Sequence, residues 1–551
     1  MIEEIKVTIN GNERSIPTGT TLLQLSKEYQ DEYRFPIILA TVNNVNRELS
    51  YVVNESCGIV FYDLNSKIGN RAHIAGLTFL LVVAVKEMFG LEANVKVMHS
   101  LDKGIYIKTS FPLTETILKT IAKRMLKLVE MDLSITKVSV DRISAIHYFE
   151  SINDLAKANI MKYNTNTYIT LYRLGNYYNY FYGLMPPSTS SLKEFKLTFV
   201  DDNGFVLQFP TEYSHNRIKP YVHHANMFKV FKECREWTKL MKIETIADLN
   251  KIVSQGKIAD LIRIDETLQS NRLLGVARTI VDNKKEKKII LLAGPSSSGK
   301  TTTTTKLSMY LKSFGLNPKM ISMDDYFVDR DETPVNEKGE KDYECFEAVD
   351  NALLTKQVDE LLSGNTIMAP VYNFKDGVKE FVKELKLDKD DILLIEGIHA
   401  LNPKVLKEIP AENKFKIYLS ALTELNIDSH NRFPTTDNRL LRRIIRDNRT
   451  RGYNVVDTLK VWSNVRSGEE KYIFPYQDEA DITINTALIY ELGVLKTYVE
   501  PLLYSVDEDS KYYEEAKRLL NILGLILPIP SESIPDDSII REFIGGSCYH
   551  D

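Results

Sequence analysis

The residue pattern that points most directly to chemistry is a glycine-rich run in the second half of the chain. It matches G-x-x-x-x-G-K-[ST] at every fixed position and comprises Gly294, Pro295, Ser296, Ser297, Ser298, Gly299, Lys300 and Thr301. Glycines in such a loop let backbone N–H groups turn toward phosphate oxygens, and the following helix points its positive end at the same anion. Lys300 would reach the β- and γ-phosphates, and the Thr301 hydroxyl would bind Mg²⁺. The apolar stretch 289–293 before the run disfavours a chance match in a Ser/Gly-rich turn, so we predict that ATP binds here with Mg²⁺.

Acidic residues follow the next two predicted strands. Strand 319–323 runs into Asp324, and strand 391–395 ends in Glu396. Because the carboxyl ends of parallel strands meet at the ligand crevice, both acids are expected beside the phosphates. Asp324 can accept the proton of an attacking hydroxyl or help to bind Mg²⁺. Taken singly, Asp324 is also compatible with a helix cap and Glu396 with a satisfied strand end. Together with the loop, they predict phosphoryl transfer.

A cluster of arginines forms the third pattern. It consists of Arg439, Arg442, Arg443, Arg446, Arg449 and Arg451. Spacings of three and four place the first four on one broad helical face. Asp447 is the only acid inside the run, so these arginines are expected to be largely unpaired. They would suit a mobile lid that closes over transferring phosphates and stabilises their charge. A solvated basic face and a nucleic-acid surface are the alternatives.

The elements around these residues alternate between strand and helix from residue 288 onward. Strands are predicted at 289–293, 319–323, 391–395 and 414–419, and helices at 301–314 and 437–451. This alternation predicts an α/β fold in which a parallel sheet is flanked by helices.

The first half of the chain has a different pattern. Residues 1–64 alternate with period two around an Asn10-Gly11 turn, which predicts a small β-rich module. Residues 65–240 predict a mixed α+β region with helices at 73–89 and 114–128. We expect five segments in all, listed as 1–64, 65–240, a helical connector 241–287, a kinase-like region 288–500 and a helical extension 501–551.

Composition sets further bounds. With 551 residues the chain is too long for one core, and its net charge of −5 provides no global attraction to nucleic acid or membrane. Its four cysteines include no Cys-x-x-Cys pair, and the longest apolar run, 76–85, is shorter than the ~20 residues that span a bilayer. The amino terminus has no signal-peptide pattern, so we expect a cytoplasmic protein without a membrane partner.

Six motifs from residue 289 to about 481 resemble those of the uridine kinase and phosphoribulokinase family of P-loop kinases. In chain order they are Gly294-Pro-Ser-Ser-Ser-Gly-Lys-Thr-Thr302, Met323-Asp-Asp-Tyr-Phe327, Tyr343-Glu-Cys-Phe-Glu-Ala-Val-Asp350, Pro370-Val-Tyr-Asn-Phe374, Leu394-Ile-Glu-Gly-Ile398 and Leu441-Arg-Arg-Ile-Ile-Arg-Asp-Asn-Arg-Thr-Arg-Gly452. The resemblance implies a P-loop α/β fold and transfer of the ATP γ-phosphate to a sugar hydroxyl, typically the 5′-hydroxyl of uridine or cytidine.

The resemblance also assigns expected roles. Asp324 would be the base, and Thr301, Asp324 and Glu396 would surround Mg²⁺. Thr302 would join the loop in binding ATP. Glu344 would be the acid that binds the ribose hydroxyls, and Phe327 and Tyr372 would line the nucleoside pocket. The lid arginines would be Arg443, Arg446 and Arg451, and Arg451 would also contact ATP.

Three positions depart from the family pattern. Gly377 stands where uridine kinases have a histidine that helps to read the pyrimidine. Tyr453 replaces the second of two arginines that flank the lid glycine. The stretch from Tyr343 lacks the Asp-His-Pro-Asp motif of the family. Phosphoryl transfer is therefore better supported than pyrimidine recognition.

The amino-terminal half resembles other modules. Residues 1–62 look like a TGS domain, a ubiquitin-like β-grasp fold, and residues 65–200 look like the second additional domain of threonyl-tRNA synthetase, which edits mischarged tRNA. That editing site uses a His-x-x-x-His pair, whereas here Gly69 precedes His73, and the later stretch around Tyr182 has neither Cys nor His. We therefore expect a binding or regulatory module without a metal.

The leading expectation is an ATP-dependent kinase of a nucleoside, and two alternatives stay open. One is a kinase of another sugar or small alcohol. The other is an RNA- or tRNA-binding regulator that senses nucleotide, which a basic helical face would favour; its residues are Lys119, Lys123, Arg124 and Lys127.

Overall fold

The structure is a computed structural model that describes residues 4–101, 103–211, 214, 217–283, 287–336, 339–373, 376–423 and 425–549. Phe374 of the fourth motif lies outside the described residues.

The first region is a mixed sheet that packs against one helix. Its elements are β1 (Glu4–Ile9), β2 (Asn12–Pro17), β3 (Thr20–Thr21), α1 (Leu22–Tyr29), β4 (Leu39–Val42), β5 (Val45–Glu48), β6 (Val52–Val53) and β7 (Cys57–Tyr62). Five strands form one sheet in the order β2-β1-β7-β4-β5, in which β1 and β7 are parallel. The predicted Asn10-Gly11 turn joins β1 to β2, and both residues have positive φ. Thr21 caps α1 through a capping box with Gln24.

The second region combines helices with two antiparallel sheets. Its elements are α2 (Lys67–Phe89), β8 (Val95–Leu101), β9 (Gly104–Thr109), α3 (Glu115–Glu130), β10 (Ile135–Asp141), α4 (Arg142–Ser151), α5 (Leu155–Met161), β11 (Tyr168–Leu174), β12 (Tyr177–Asn179), β13 (Lys196–Asp201), β14 (Gly204–Gln208) and α6 (Ala225–Met241). The sheets have the orders β13-β14-β9-β8 and β10-β11-β12. Helix α2 has the length and apolar composition to cross a membrane, but 72% of its most apolar stretch is buried inside the protein, where it forms the centre of this region's core.

The third region is built on a parallel sheet. Two helices precede it, α7 (Ile246–Ser254) and α8 (Ile258–Asp282). The elements that follow are β15 (Ile289–Ala293), α9 (Lys300–Ser313), β16 (Asn317–Ser322), α10 (Asn351–Leu362), β17 (Ile367–Asn373), β18 (Val378–Leu385), β19 (Asp391–Glu396), β20 (Lys414–Ser420), α11 (Thr435–Arg451), α12 (Val455–Gly468), β21 (Ile482–Asn485), α13 (Glu491–Tyr504), α14 (Tyr513–Leu523) and α15 (Arg541–Ile544). The sheet order is β16-β19-β15-β20-β21, with every neighbouring pair parallel.

Both faces of this sheet are covered. Every residue of β15 is buried, and alternate residues of the strand enter two different cores. Ile290 and Leu292 pack with α8 and α9, whereas Ile289 and Leu291 face the side of α10 and the β17–β18 hairpin. Central parallel strands covered on both faces have this continuous apolar composition. The predicted parallel α/β sheet is therefore confirmed, with β21 as an additional edge strand.

A loop of the third region joins it to the second. Lys157 Nζ lies 3.3 Å from Asp428 Oδ1, and neither side chain is exposed. Ser429 Oγ donates to Asp154 Oδ1 over 2.8 Å, and the Val97 amide donates to the Ser429 carbonyl over 2.8 Å. Burying these polar groups is tolerable only while they are paired, so the two halves of the chain are held in one arrangement.

Candidate active site

The glycine-rich loop turns sharply between β15 and α9. Gly299 has φ +81°, and a Cβ on Gly294 would stand 2.7 Å from the Leu419 carbonyl oxygen, so both positions require glycine. Ser297 also has positive φ. Lys300 Nζ donates to the carbonyl of Gly294 over 3.0 Å and lies across the loop. The loop therefore has the tight backbone path that the sequence predicts.

A carboxylate from the carboxyl terminus lies at the start of α9. Glu542 Oε2 accepts a hydrogen bond from the Thr302 amide over 3.2 Å. That amide belongs to the helix end whose dipole favours anions. Glu542 is held there by its backbone, because Arg449 Nη2 donates to its carbonyl over 3.0 Å and the neighbouring Phe543 is fully buried. Sequence patterns around 294–301 contain no signal for this residue.

Asp324 and Asp325 follow β16 but face different surroundings. Asp324 is exposed at the strand end. Asp325 is half-buried, and its Oδ1 accepts the amide hydrogen of Tyr372 over 3.3 Å. Burial raises the pKa of Asp325, and the charge of Asp324 adds to the shift. Asp324 is thus the acid that remains available to a ligand, while Asp325 fastens the β17–β18 hairpin.

Glu396 ends β19 beside these groups. Ser322 Oγ donates to Glu396 Oε1 over 2.7 Å. Burial, followed by the negative charge of Asp324, raises the pKa of Glu396 to about 7, and the positive charge of Lys300 acts in the opposite direction. The structure therefore brings Lys300, Asp324 and Glu396 within electrostatic reach of each other.

The predicted acceptor residues lie on the same side of the sheet. The rings of Phe327 and Tyr372 pack edge to face with centroids 5.7 Å apart. Burial raises the pKa of Glu344 to about 7, whereas Arg443 lowers it. At Gly377, a Cβ would stand 2.7 Å from atoms of Arg330, so an arginine fills the space beside this glycine.

The arginines of α11 are largely paired, contrary to expectation. Arg439 forms a buried ion pair with Glu469, and Arg442 forms one with Glu491. Both acids lie outside the arginine run, which explains why spacing within the run did not show them. The premise that α11 carries largely unpaired arginines is therefore wrong, since Arg439 and Arg442 anchor a buried helix.

The other arginines of the cluster converge on one acid. Arg443 Nε donates to Asp447 Oδ2 over 3.1 Å and its Nη1 donates to Ser296 Oγ over 2.8 Å. Arg446 and Arg451 also reach Asp447, at 2.9 and 3.4 Å. Arg443 therefore links α11 directly to the glycine-rich loop.

The residues present fit a nucleoside triphosphate. The hydroxyl oxygens of Ser297, Ser298 and Thr302 are buried and have no hydrogen-bond partner among the described residues. The Thr302 amide already binds a carboxylate, which shows that an oxyanion is accepted there. No cluster of three or more His, Cys, Asp or Glu side chains suited to a metal ion occurs within the described ranges. Mg²⁺ usually takes one or two carboxylates together with phosphate oxygens, which Thr301, Asp324 and Glu396 can complement.

The editing-like region has no space for the first histidine of the editing pair. A Cβ on Gly69 would stand 2.0 Å from the Asp63 carbonyl oxygen. His73 is fully buried and bonds to the Glu194 carbonyl over 3.1 Å, and burial lowers its pKa to about 4. His73 thus belongs to the core.

Comparison with known proteins divides the chain in two. Residues 289–489 match the model of the phosphoribulokinase / uridine kinase family. The uridine kinase of Clostridium botulinum (strain Okra / Type B1) is 29% identical over 166 residues, covering 30% of this chain and 72% of that protein. The amino-terminal region is similar to the threonine–tRNA ligase of Legionella pneumophila (strain Corby), with 28% identity over 209 residues. The match covers 36% of this chain and only a third of the ligase, 33%.

Among solved structures, the chain is similar to a possible uridine kinase from Bacillus stearothermophilus. The TM-score is 0.28 and the identity is 20%, over 39% of this chain and 98% of that one. The sequence matches confirm that residues 289–489 resemble the uridine kinase and phosphoribulokinase family and that the amino-terminal region resembles threonine–tRNA ligases. The carboxyl-terminal region is that of an ATP-dependent kinase.

Proposed function

We propose that the chain transfers the γ-phosphate of ATP to a hydroxyl of a small molecule, with a nucleoside such as uridine or cytidine as the leading acceptor. One observation carries the proposal most. Lys300, Asp324 and Glu396 come from three separate segments and meet at the carboxyl ends of neighbouring parallel strands, where such sheets bind ligands.

Each residue has a distinct proposed role. The loop amides and Lys300 hold the phosphates, and Asp324 takes the proton of the attacking hydroxyl, since its carboxylate is exposed at the strand end. Thr301, Asp324 and Glu396 would hold Mg²⁺, which when bound neutralises charge on the phosphates. Because catalysis of this kind depends on positioning and charge, displacement of these groups by about 1 Å would strongly lower the transfer rate.

The arginines supply positive charge beside the loop. Arg443 reaches Ser296 Oγ, so its guanidinium stands next to the phosphate-binding backbone. Arg446 and Arg451 share Asp447 with it, which keeps the three cations together despite their repulsion. We propose that they stabilise charge on the transferring group without a large lid movement, because α11 is anchored by buried ion pairs.

The acceptor pocket is assigned to Phe327, Tyr372 and Glu344. The paired aromatic rings can receive the flat face of a base, and Glu344 can accept hydrogen bonds from ribose hydroxyls. The second candidate function is phosphorylation of a different sugar or small alcohol. The occupation of the space at Gly377 by Arg330 favours it, because a pyrimidine-reading histidine is lacking there.

The amino-terminal half is proposed to consist of a TGS-like β-grasp module and an editing-like module. The sheet order β2-β1-β7-β4-β5 with one parallel pair and the match to threonine–tRNA ligases support this. RNA or tRNA contact would use the basic face of α3. That face is partly neutralised, because Lys119 and Arg124 pair with Glu115 and Glu87.

A panel of nucleosides, sugars and small alcohols tests the proposal. Each is incubated with ATP, Mg²⁺ and the full chain, and ADP release is followed. A nucleoside should stimulate release at least tenfold over the acceptor-free rate, and ³¹P NMR of the product should show a phosphate ester. Stimulation by tRNA instead, without any phosphorylated product, would favour the nucleotide-sensing regulator.

A further inference from the structure

A cavity between the two halves of the chain lies apart from the proposed acceptor residues. Its volume is about 730 Å³, within the range of roughly 300–1,000 Å³ that is usual for small-molecule sites. Ser100 and Phe209 line it from the second region, and Tyr418 and Phe474 line it from the third. It meets the glycine-rich loop at Pro295, and its lining includes none of Asp324, Glu344, Phe327 and Tyr372.

The wall of this cavity is rich in positive charge. The described lining contains one carboxylate, Glu470, and six Lys or Arg side chains, namely Lys103, Lys219, Arg432, Arg439, Arg466 and Lys471. Glu470 binds Lys103 and Arg466, and Arg439 is paired with Glu469. Lys219 and Lys471 are exposed and have no ion pair within the part of the chain that the structure describes.

Arg432 is the cation that most requires a partner. Its guanidinium forms no salt bridge and no hydrogen bond with any described residue. Burial lowers its pKa to about 10, whereas the charge of Asp437 acts in the opposite direction, so Arg432 stays charged at neutral pH. The nearby Asp437 is already ion-paired with Arg518 over 2.7 Å, so a ligand anion would give this partly buried guanidinium a direct partner.

The first turn of α11 adds hydrogen-bond donors to the same wall. Thr435 and Thr436 line the cavity, and Pro434, the residue just before the helix, has no side-chain oxygen that could cap it. Neither threonine hydroxyl has a partner within the described ranges. The positive end of a 17-residue helix thus lies next to Arg432, and the one acid of its first turn, Asp437, is ion-paired with Arg518.

We propose that this cavity binds a phosphorylated small molecule with a flat apolar body. Its phosphate would contact Arg432 and the first turn of α11, and its body would lie against Phe209, Phe231, Tyr418 and Phe474. A phosphate matches this wall better than a carboxylate, because a guanidinium fork, two hydroxyls and a helix end offer more donors than two oxygens can use. The proposal is independent of the acceptor assigned above.

Phenyl phosphate is the probe, and calorimetry on the full chain is the measurement. Phenyl phosphate should bind wild type and Lys300→Ala with similar affinity, because Lys300 belongs to the other phosphate site. It should bind Arg432→Gln at least tenfold more weakly, while ATP affinity stays within twofold. Unchanged binding in Arg432→Gln, or loss of binding in Lys300→Ala, would overturn the assignment.

Simpler probes and a second variant separate the contribution of the phosphate to binding from that of the aromatic ring. Inorganic phosphate lacks the ring and benzyl alcohol lacks the charge, so each should bind at least tenfold more weakly than phenyl phosphate. Benzoate binding as tightly as phenyl phosphate would contradict the preference for phosphate. Should Arg432→Gln fail to fold, Thr436→Val removes one donor without removing a charge and should weaken phenyl phosphate about threefold or more; no effect would count against the site.

Discussion

Asp324 and Asp325 are neighbours in the chain with different surroundings. Asp324 is exposed at the end of β16, whereas Asp325 is tied to the Tyr372 amide. We expect Asp324→Asn to lower the transfer rate about 10²-fold or more, in the range of general-base loss. Asp325→Asn should have a mild effect, because its side-chain oxygen can still accept from Tyr372.

Turnover at saturating acceptor and ATP affinity by calorimetry are measured for both variants. ATP affinity should change little in either. An inactive Asp325→Asn beside an active Asp324→Asn would place the catalytic acid one residue further along.

The Glu542 carboxylate accepts from a backbone amide that phosphate oxygens would need as a hydrogen-bond donor. Its carboxylate bonds to the Thr302 amide and would repel a triphosphate at the same helix end. Glu542→Gln should therefore tighten ATP binding about fivefold, equivalent to about 1 kcal/mol. Glu532→Gln is the matched control, since Glu532 is exposed on the same carboxyl-terminal segment. Weaker ATP binding in Glu542→Gln would show instead that the carboxylate assists the nucleotide.

The site residues divide into those that sequence patterns reveal and those that they do not. Lys300, Asp324 and Glu396 are recognisable because each belongs to a motif at the carboxyl end of an apolar strand, and the topology of a parallel sheet brings strand ends together. Glu542 reaches Thr302 from 240 residues away. No local periodicity or spacing links such distant positions, so only the folded chain shows the contact.

At the scale of elements, α11 shows where reasoning from one segment fails. Asp447 is the one acid inside the arginine run, whereas Glu469 approaches from just after α12 and Glu491 from the start of α13. Strand β21 and the β17–β18 hairpin were also missed as sheet elements. Their outward faces are partly exposed, so they lack the continuous apolar pattern of the central strands.

The buried pairs of α11 predict a large effect on stability. Glu491→Ala leaves the fully buried Arg442 without its carboxylate, and breaking such a pair costs about 3–5 kcal/mol. A thermal melt should show a Tm about 3–4 °C below wild type, because the entropy of unfolding scales with chain length. Glu500→Ala, on the same helix but at a partly exposed pair, should shift Tm by far less. Equal shifts would mean that the buried pair does not anchor α11.

At the scale of the whole molecule, the two halves are linked by polar groups that are buried together. The loop around Asp428 and His430 lies against Lys157 and Asp154 of the second region. An amino-terminal half that was merely tethered to the kinase region by a linker would not bury such groups, since their desolvation must be offset by pairing. The shared cavity lies at this same junction.

Buried histidines predict how stability depends on pH. Burial lowers the pKa of His73 and His399 to about 4 and that of His430 to about 3. Their unfolded pKa is about 6.5. Above that value the groups are neutral in both states and their contribution is complete; as the pH falls toward 4, only the unfolded chain takes up protons, so the free energy of unfolding decreases.

Melts between pH 7 and pH 5 measure this effect. Tm should fall with pH, and His73→Gln should make the fall shallower, because glutamine takes up no proton in this range and its amide can still donate to the Glu194 carbonyl from the position of Nε2. A rise in Tm on acidification would contradict the neutral buried state of these histidines.

The most direct measurement is ADP formation by wild type and by Lys300→Ala, each with and without the best acceptor of the panel. Lys300 should contribute charge stabilisation of about 3 kcal/mol or more in the transition state. Wild type should form ADP in an acceptor-dependent manner, and Lys300→Ala should be at least about a hundredfold slower at an unchanged Tm. ADP formation that ignores the acceptor, or a folded Lys300→Ala with near-normal turnover, would contradict phosphoryl transfer at this site.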